Sequence, residues 1–371
     1  MSASPHTPLV DVIAGARPNF MKIAPILHAI RKRQANGSRL RYRLVHTGQH
    51  YDARMSGDFF TQLGIPEPDV NLEVGSGTQA EQTAGIMTGY EKLLLAARSD
   101  LCLVVGDVTS TMACAIAAQK LRVPVAHVEA GIRSGDWTMP EEINRLVTDS
   151  ITNWYFTTSE VANQNLRRAG ARDEQIHFVG NTMIDTLLAN LDRLRPPPFW
   201  DEAGLQPGGY IVMTLHRPAN VDDPDGFARL MAAVGEAVRG LPVVFPVHPR
   251  TAKTLAALPR RPAGLLIVEP QPYLEFNYLV RHAKGVITDS GGITEETTVL
   301  GVPCITLRDS TERPETVTVG TNELIGTDPA ALKPALDKLF AGKWKKGAIP
   351  HLWDGRTGER IADALERLLC H

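Results

Sequence analysis

LCLVVGDVTSTMACAIAAQKLRVPVAHVEAGIRSGDWTMPEEINR, residues 101–145, decides the fold. Its two apolar runs, Leu101–Val105 and Val123–Val128, have the length and β-branched content of buried parallel strands. Between them the Ala-rich stretch Thr111–Leu121 reads as the crossover helix of a βαβ unit. Each strand ends on a carboxylate, Asp107 after the first and Glu129 after the second. Open α/β sheets bind ligands outside the carboxyl ends of their strands, so both acids are expected to face one crevice. Glu141 and Glu142 follow Pro140 at the start of a further helix, EEINRLVTDSI. Acids there also suit the helix dipole, worth ~0.3–1 kcal/mol, and for Glu142 that alone would be enough, with a part in the chemistry the other reading.

Outward from this stretch the chain keeps alternating. Leu9–Ala14 is a short strand, followed by GARPNFMK from Gly15 to Lys22. A glycine at a strand end, a proline at a helix start and two cations suit an anion site. A tight turn with solvated Arg17 and Lys22 would read the same way. RYRLVHTG supplies a strand running out to Gln49 and His50, and NWYFTTSE another, with a helix through Gly170. FFTQLGIPEPDVNLEVGSGTQAEQT reads as a loop-rich excursion between them. Repeated βα units of this kind build a doubly wound, Rossmann-like domain. No GxGxxG fingerprint occurs, which argues against a dinucleotide cofactor.

The triple proline Pro196–Pro198 then interrupts the pattern, and the alternation restarts. GYIVMTLHRPAN delivers His216 and Arg217 at a strand end, and PVVFPVHPR delivers His248. LLIVEPQPYLEF runs into Gln271 and Phe276, with Phe276 expected on a loop. Its ring offers a flat surface to a base, or simply belongs to the core. GVITDSGGITEET ends in Ser290, Gly291 and Gly292 ahead of a helix, leaving backbone N–H groups open as a phosphate cradle. Glu295 and Glu296, one turn in, suit either ribose hydroxyls or the helix dipole. VPCITLRDSTERPE closes the series with Arg308, Glu312 and Arg313 beyond its strand. The expectation is therefore two domains: an N-terminal one over 1–175 carrying the acids, and a nucleotide-binding one over 176–359.

Composition narrows the function. The chain has 371 residues, 43% hydrophobic and 22% charged, with a net charge of −2. That balance supplies no basic field for nucleic acid. The N-terminus MSASPHTPLV lacks a basic start and apolar run, and no apolar stretch reaches membrane-spanning length, so a cytoplasmic protein is expected. The four cysteines share no CxxC spacing and read as reduced core residues; no metal is expected.

GARPNFMK, HTGQHYD, VVGDVTST, HVEAGIRSGD, PEEINR, GNTMIDTL, DSGGITEE and TERPE occur in that order across nearly the whole chain. Together they resemble the non-hydrolysing UDP-N-acetylglucosamine 2-epimerases. The resemblance implies an α/β fold of two facing Rossmann-like domains, the glycosyltransferase-B type, with the active site in the interdomain cleft and residues 360–371 packed back on the first domain. It implies interconversion of UDP-N-acetylglucosamine and UDP-N-acetylmannosamine, with expulsion of UDP, a 2-acetamidoglucal and re-addition. By motif, Asp107, Glu129 and Glu141 match the catalytic acids, with His216 serving both the chemistry and the nucleotide. Arg17, Lys22, Arg145, Ser290, Gly291, Gly292, Glu296 and Arg313 match UDP-sugar-binding positions, and Gln271 and Phe276 lie beside the uracil. The partner implied is the UDP-sugar, with no cofactor, no nucleic acid and no membrane, in a homodimer.

Three features depart from the commoner form of the family. Pro218, Ala219 and Asn220 stand where the strand-end His-Arg is usually followed by Arg-Glu-Asn. The stretch before PEE is short, and NLEVGSGTQ lacks the basic residue through which some bacterial members bind an activating second substrate. Other readings stay open. They are a 2-epimerase of a further modified UDP-sugar, a hydrolysing variant, a UDP-sugar glycosyltransferase, or a nucleotide-sugar binding protein. PEEINR and the several acids argue against the last two.

Overall fold

The computed structural model describes residues 6–48, 60–247, 249–258 and 262–370, apart from the side chains of 17, 18, 249 and 250. The chain divides into two compact units, one formed by residues up to Ala189 together with His351–His371, the other by Asn190–Pro350.

The first unit is built on a seven-stranded parallel sheet, β1 (Leu9–Ala14), β2 (Arg41–His46), β3 (Val70–Asn71), β4 (Leu101–Val105), β5 (Val125–Val128), β6 (Trp154–Thr157) and β7 (Ile176–Phe178). Their spatial order is β3-β2-β1-β4-β5-β6-β7. Every residue of β4 and β5 is buried, which is why both read as unbroken apolar runs rather than alternating ones. The crossover helix Thr109–Lys120 is buried along most of its length, and its alanines let it pack closely against helix Gln79–Ala96.

Residues 351–371 return to this unit. Trp353, 1% exposed, donates its indole N–H to the Thr158 carbonyl (3.1 Å), and the Gly358 amide donates to Asp185 (2.7 Å). Helix Thr357–Leu369 packs on helix Arg17–Ala35, with Lys32 bridging to Glu359 and Arg33 to Asp363 and Glu366. Pro25 sits inside helix Arg17–Ala35 and has no N–H to give Met21. The Thr186 hydroxyl donates to that Met21 carbonyl instead, at 2.5 Å, and so ties in helix Thr182–Asn190.

The second unit repeats the plan with β8 (Ile211–Thr214), β9 (Val243–Pro246), β10 (Leu265–Val268), β11 (Gly285–Thr288), β12 (Cys304–Thr306) and β13 (Asn322–Leu324). The order β10-β9-β8-β11-β12-β13, parallel throughout, reproduces the doubly wound pattern of the first sheet. Both units are thus Rossmann-like α/β folds. In each, the winding direction reverses between the first strand and the fourth: β1 and β4 in one, β8 and β11 in the other. Such switch points open a crevice at the strand ends.

The expected boundary at 175/176 is corrected by β7. Ile176–Phe178 pairs with β6 through Tyr155↔Ile176 and Thr157↔Phe178, so it completes the first sheet. The chain passes into the second unit at Asn190, shortly before the three prolines. No helix among the described residues is long and apolar enough to cross a membrane.

Candidate functional site

At the switch point of the first unit, Gly106 turns the chain out of β4 with φ at 71° and presents Asp107. The Asp107 carboxylate receives two guanidinium N–H groups of Arg145, at 3.0 and 2.6 Å, while Asn144 donates to the Asp107 carbonyl (2.8 Å). Both partners come from helix Pro140–Ser150. Next door, Glu129 leaves β5 with φ at 70°, a conformation non-glycine residues rarely hold outside functional turns. Lys22 donates to its carboxylate at 2.6 Å, and the two side chains are 14% and 3% exposed. A Cβ built on Gly106 would stand 3.1 Å from the Lys22 ammonium and 3.6 Å from the Glu129 carboxylate. Lys22, from helix Arg17–Ala35, and Glu129 therefore lie against Gly106 beside Asp107, with the two acids at adjacent strand ends.

The paired glutamates separate. Glu142 turns inward and accepts from the Ser134 amide (2.9 Å), the Gly135 amide (3.1 Å) and Arg145 (2.7 Å). Burial opposes its charge, but these donors outweigh burial and hold the carboxyl below its ordinary value. Its work is more than dipole complement, because it anchors the 134–135 loop and the same arginine that grips Asp107. Glu141 is half-buried and makes no hydrogen bond or ion pair among the described residues. Arg145, expected at the sugar nucleotide, is 5% exposed and engaged by Asp107 and Glu142.

In the second unit β8 and β11 bring His216 against Asp289. The imidazole Nδ1 lies 2.7 Å from the Asp289 carboxylate, which also accepts the amides of His216 and Arg217 and the side chain of Asn220. Burial works against the Asp289 charge, yet these donors, His216 foremost, hold its carboxyl below the ordinary value. A carboxylate in that state fixes Nδ1 as the donor and leaves Nε2 available to other partners, on a side chain 47% exposed. Ser290 then caps helix Gly291–Leu300 without any side-chain hydrogen bond to it, so the first amides of the helix stay open.

Glu296 is buried one turn in. Burial, aided by the charge of Glu295, pushes its carboxyl up to about 7 against the pull of Asn277 and Tyr273. Arg313 is 5% exposed and pairs with Glu295, while Arg308 and Glu312 form a two-pronged pair at 2.7 Å. Gln271 donates to the Glu269 carbonyl (2.7 Å). Phe276 is not on a loop. It lies in helix Tyr273–His282 and packs partly buried on the core behind Val286 and Val302, because Pro272 starts the helix early. The Arg17 side chain, Gln49, His50 and His248 lie outside the described residues.

The chain as a whole resembles known proteins. The family model for UDP-N-acetylglucosamine 2-epimerase matches residues 32–366. A UDP-N-acetylglucosamine 2-epimerase of Methanocaldococcus jannaschii is 39% identical over 96% of this chain and 98% of its own. A UDP-2,3-diacetamido-2,3-dideoxy-D-glucuronate 2-epimerase of Pseudomonas aeruginosa is 41% identical over 96% and 99%. Among solved structures, the M. jannaschii UDP-GlcNAc 2-epimerase in complex with UDP-GlcNAc and UDP superposes with a TM-score of 0.86 at 38% identity, over 97% of this chain and 99% of that one. With a family match over most of its length and a relative 39% identical across nearly all of it, the chain belongs to the UDP-N-acetylglucosamine 2-epimerase family of isomerases.

Proposed function

We propose that this enzyme interconverts UDP-N-acetylglucosamine and UDP-N-acetylmannosamine by eliminating and re-adding UDP, and so supplies precursors for cell-surface polysaccharide. The observation that carries the reading is the pair of acids Asp107 and Glu129 at adjacent strand ends, with Lys22 on Glu129 and beside Gly106. The hydrogen on carbon 2 has no neighbouring carbonyl to acidify it. Loss of UDP from carbon 1 as a carboxylate takes that proton leaves a neutral 2-acetamidoglucal. Return of a proton to the opposite face, with UDP re-adding at carbon 1, inverts carbon 2 and restores every atom. Acid and base are needed on two faces, which several carboxylates provide. Asp107, Glu129 and Glu141 fill those roles here.

The leaving group is the second unit's task. The open amides after Ser290, with Gly291 and Gly292, take the diphosphate, and the free Nε2 of His216 meets its developing charge. Glu296 takes the ribose hydroxyls, Gln271 and Phe276 lie toward the base, and Arg17 and Lys22 add positive charge. Arg145 and Arg313 act through the carboxylates they hold. The family resemblance extends the proposal to a cytoplasmic homodimer.

Incubation with UDP-N-acetylglucosamine in deuterated water, followed by NMR, tests the chemistry. The product should carry deuterium at carbon 2, and free UDP with 2-acetamidoglucal should accumulate slowly. Asp107→Asn and Glu129→Gln should lower turnover by ~10²–10⁴-fold while UDP affinity holds. Product without solvent deuterium would point to a hydride or ring-opening route. A second reading, a 2-epimerase of a diacetamido uronic acid nucleotide, is favoured by the 41% identity to the P. aeruginosa enzyme. The same assay on that sugar nucleotide decides between them.

A further inference from the structure

His127 sits in the middle of β5 and is wholly buried. Its Nε2 lies 2.7 Å from the Gly106 carbonyl, and its Nδ1 lies 2.7 Å from the Asp149 carboxylate. A carbonyl oxygen can only accept, so Nε2 carries a hydrogen. Asp149 is held in its ionised form. Burial opposes that charge, but His127 and Arg133 outweigh burial and keep the carboxyl below its ordinary value. Both ring nitrogens thus face acceptors, the Gly106 carbonyl on one side and the Asp149 carboxylate on the other.

The far ends of this chain of contacts matter. Gly106 is the residue before Asp107 and holds φ at 71°. The second oxygen of Asp149 accepts the Gly131 amide at 3.0 Å and the Arg133 guanidinium at 2.6 Å. Gly131 follows Glu129 by two residues, with φ at 80°, and a Cβ there would meet the Ala162 carbonyl at 2.4 Å. Glu129 itself holds φ at 70°, a state that costs ~1–3 kcal/mol and lasts only where its surroundings over-determine it. One continuous path therefore runs from Gly106 O through His127 and Asp149 to Gly131 N, from the turn of one acid to the turn of the other. Buried ion pairs are poor stabilisers, since desolvation consumes most of their attraction. Apolar residues would serve a core strand as well.

We propose that His127 and Asp149 form a positioning pair that locks the Gly106–Asp107 turn to the Glu129–Gly131 turn and so fixes the spacing of the two acids. The pair touches neither substrate nor reacting atoms. Its catalytic consequence rests on the reading that Asp107 and Glu129 do the chemistry.

The test uses His127→Gln, Asp149→Asn and the double variant of the full-length enzyme. Asp11→Asn serves as a control, removing a two-pronged pair with Arg43 at the centre of the same sheet. Each single variant should lose ~10²-fold in kcat, the size of effect expected when a catalytic group shifts by about 1 Å. UDP affinity by calorimetry should not change. The double variant should be no slower than the slower single one, because both cut the same path. Amide hydrogen exchange should quicken at residues 106–107 and 129–131. Asp11→Asn should melt earlier with kcat intact. Multiplying losses in the double variant, wild-type kcat in Asp149→Asn, or an equal loss of kcat in Asp11→Asn would overturn the proposal. If His127→Gln does not fold, Asp149→Asn still decides it. If the wild-type enzyme forms no epimer at all, the chemical reading fails on its own, while the exchange pattern still decides whether the clamp exists.

Discussion

At Glu296 burial and charge act in one direction. The carboxyl, 4% exposed and beside Glu295, is pushed from 4.5 to about 7. A group whose pKa rises on folding adds stability that is fully present below its unfolded value and lost as pH climbs through the folded one. Here the window runs from 4.5 to about 7. The difference in melting temperature, Glu296→Gln minus wild type, should therefore swing in favour of glutamine between pH 5 and pH 8. A difference that stays flat across that window would show that Glu296 is not held protonated. Other residues were less legible before folding. Glu141 and Glu142 are adjacent acids in the first turn of one helix, and about 100° of rotation per residue sends one inward and leaves the other half-buried. The pattern cannot say which. His127, alone among valines and alanine, carries no signal of its own in the sequence, because its two neighbours come from Gly106 and a later helix.

At the scale of elements, helix Gly291–Leu300 offers the cleanest single test of where UDP binds. A Cβ built on Gly291 would meet nothing nearer than 3.8 Å, from Arg308 and Glu312, so the backbone accepts a side chain there. The amides that Gly291 exposes would be screened by a leucine, however. Gly291→Leu should keep its melting temperature and lose about 10–100-fold in UDP affinity, the equivalent of one or two charge-assisted hydrogen bonds. Unchanged affinity by calorimetry would move the diphosphate elsewhere. The helix was legible because a strand end, small residues and acids one turn in fall together in DSGGITEE. Asp107 and Glu129 were legible for the same reason, at the ends of β4 and β5. Short edge strands were not. β3 has two residues and β13 three, too few to carry an apolar run or an alternation. β7, Ile-His-Phe, is half-buried throughout, so its place in the first sheet rests on pairing with β6 rather than on any pattern of its own.

The whole chain passes through the second unit and returns, so its last helix belongs to the first. Ile361 and Leu365 on that helix are 0% exposed, and Arg360 donates to the Val179 carbonyl at 3.0 Å. Perturbing this helix and filling the nucleotide site should therefore act on different units. Leu365→Ala should destabilise the first unit by ~2–5 kcal/mol, the usual range for emptying a buried leucine site. At about 2–4 °C per kcal/mol for a unit of this size, the shift is easily resolved by calorimetry. UDP at 100 times its Kd should instead stabilise the second unit by about 2.7 kcal/mol. The expected thermogram has two components, one lowered by Leu365→Ala and the other raised by UDP, with UDP affinity equal in both proteins. A single transition that both perturbations move would mean that the two units unfold as one. Weaker UDP binding in Leu365→Ala would mean that the loss of packing reaches Arg17 and Lys22 through helix Arg17–Ala35, on which the last helix lies.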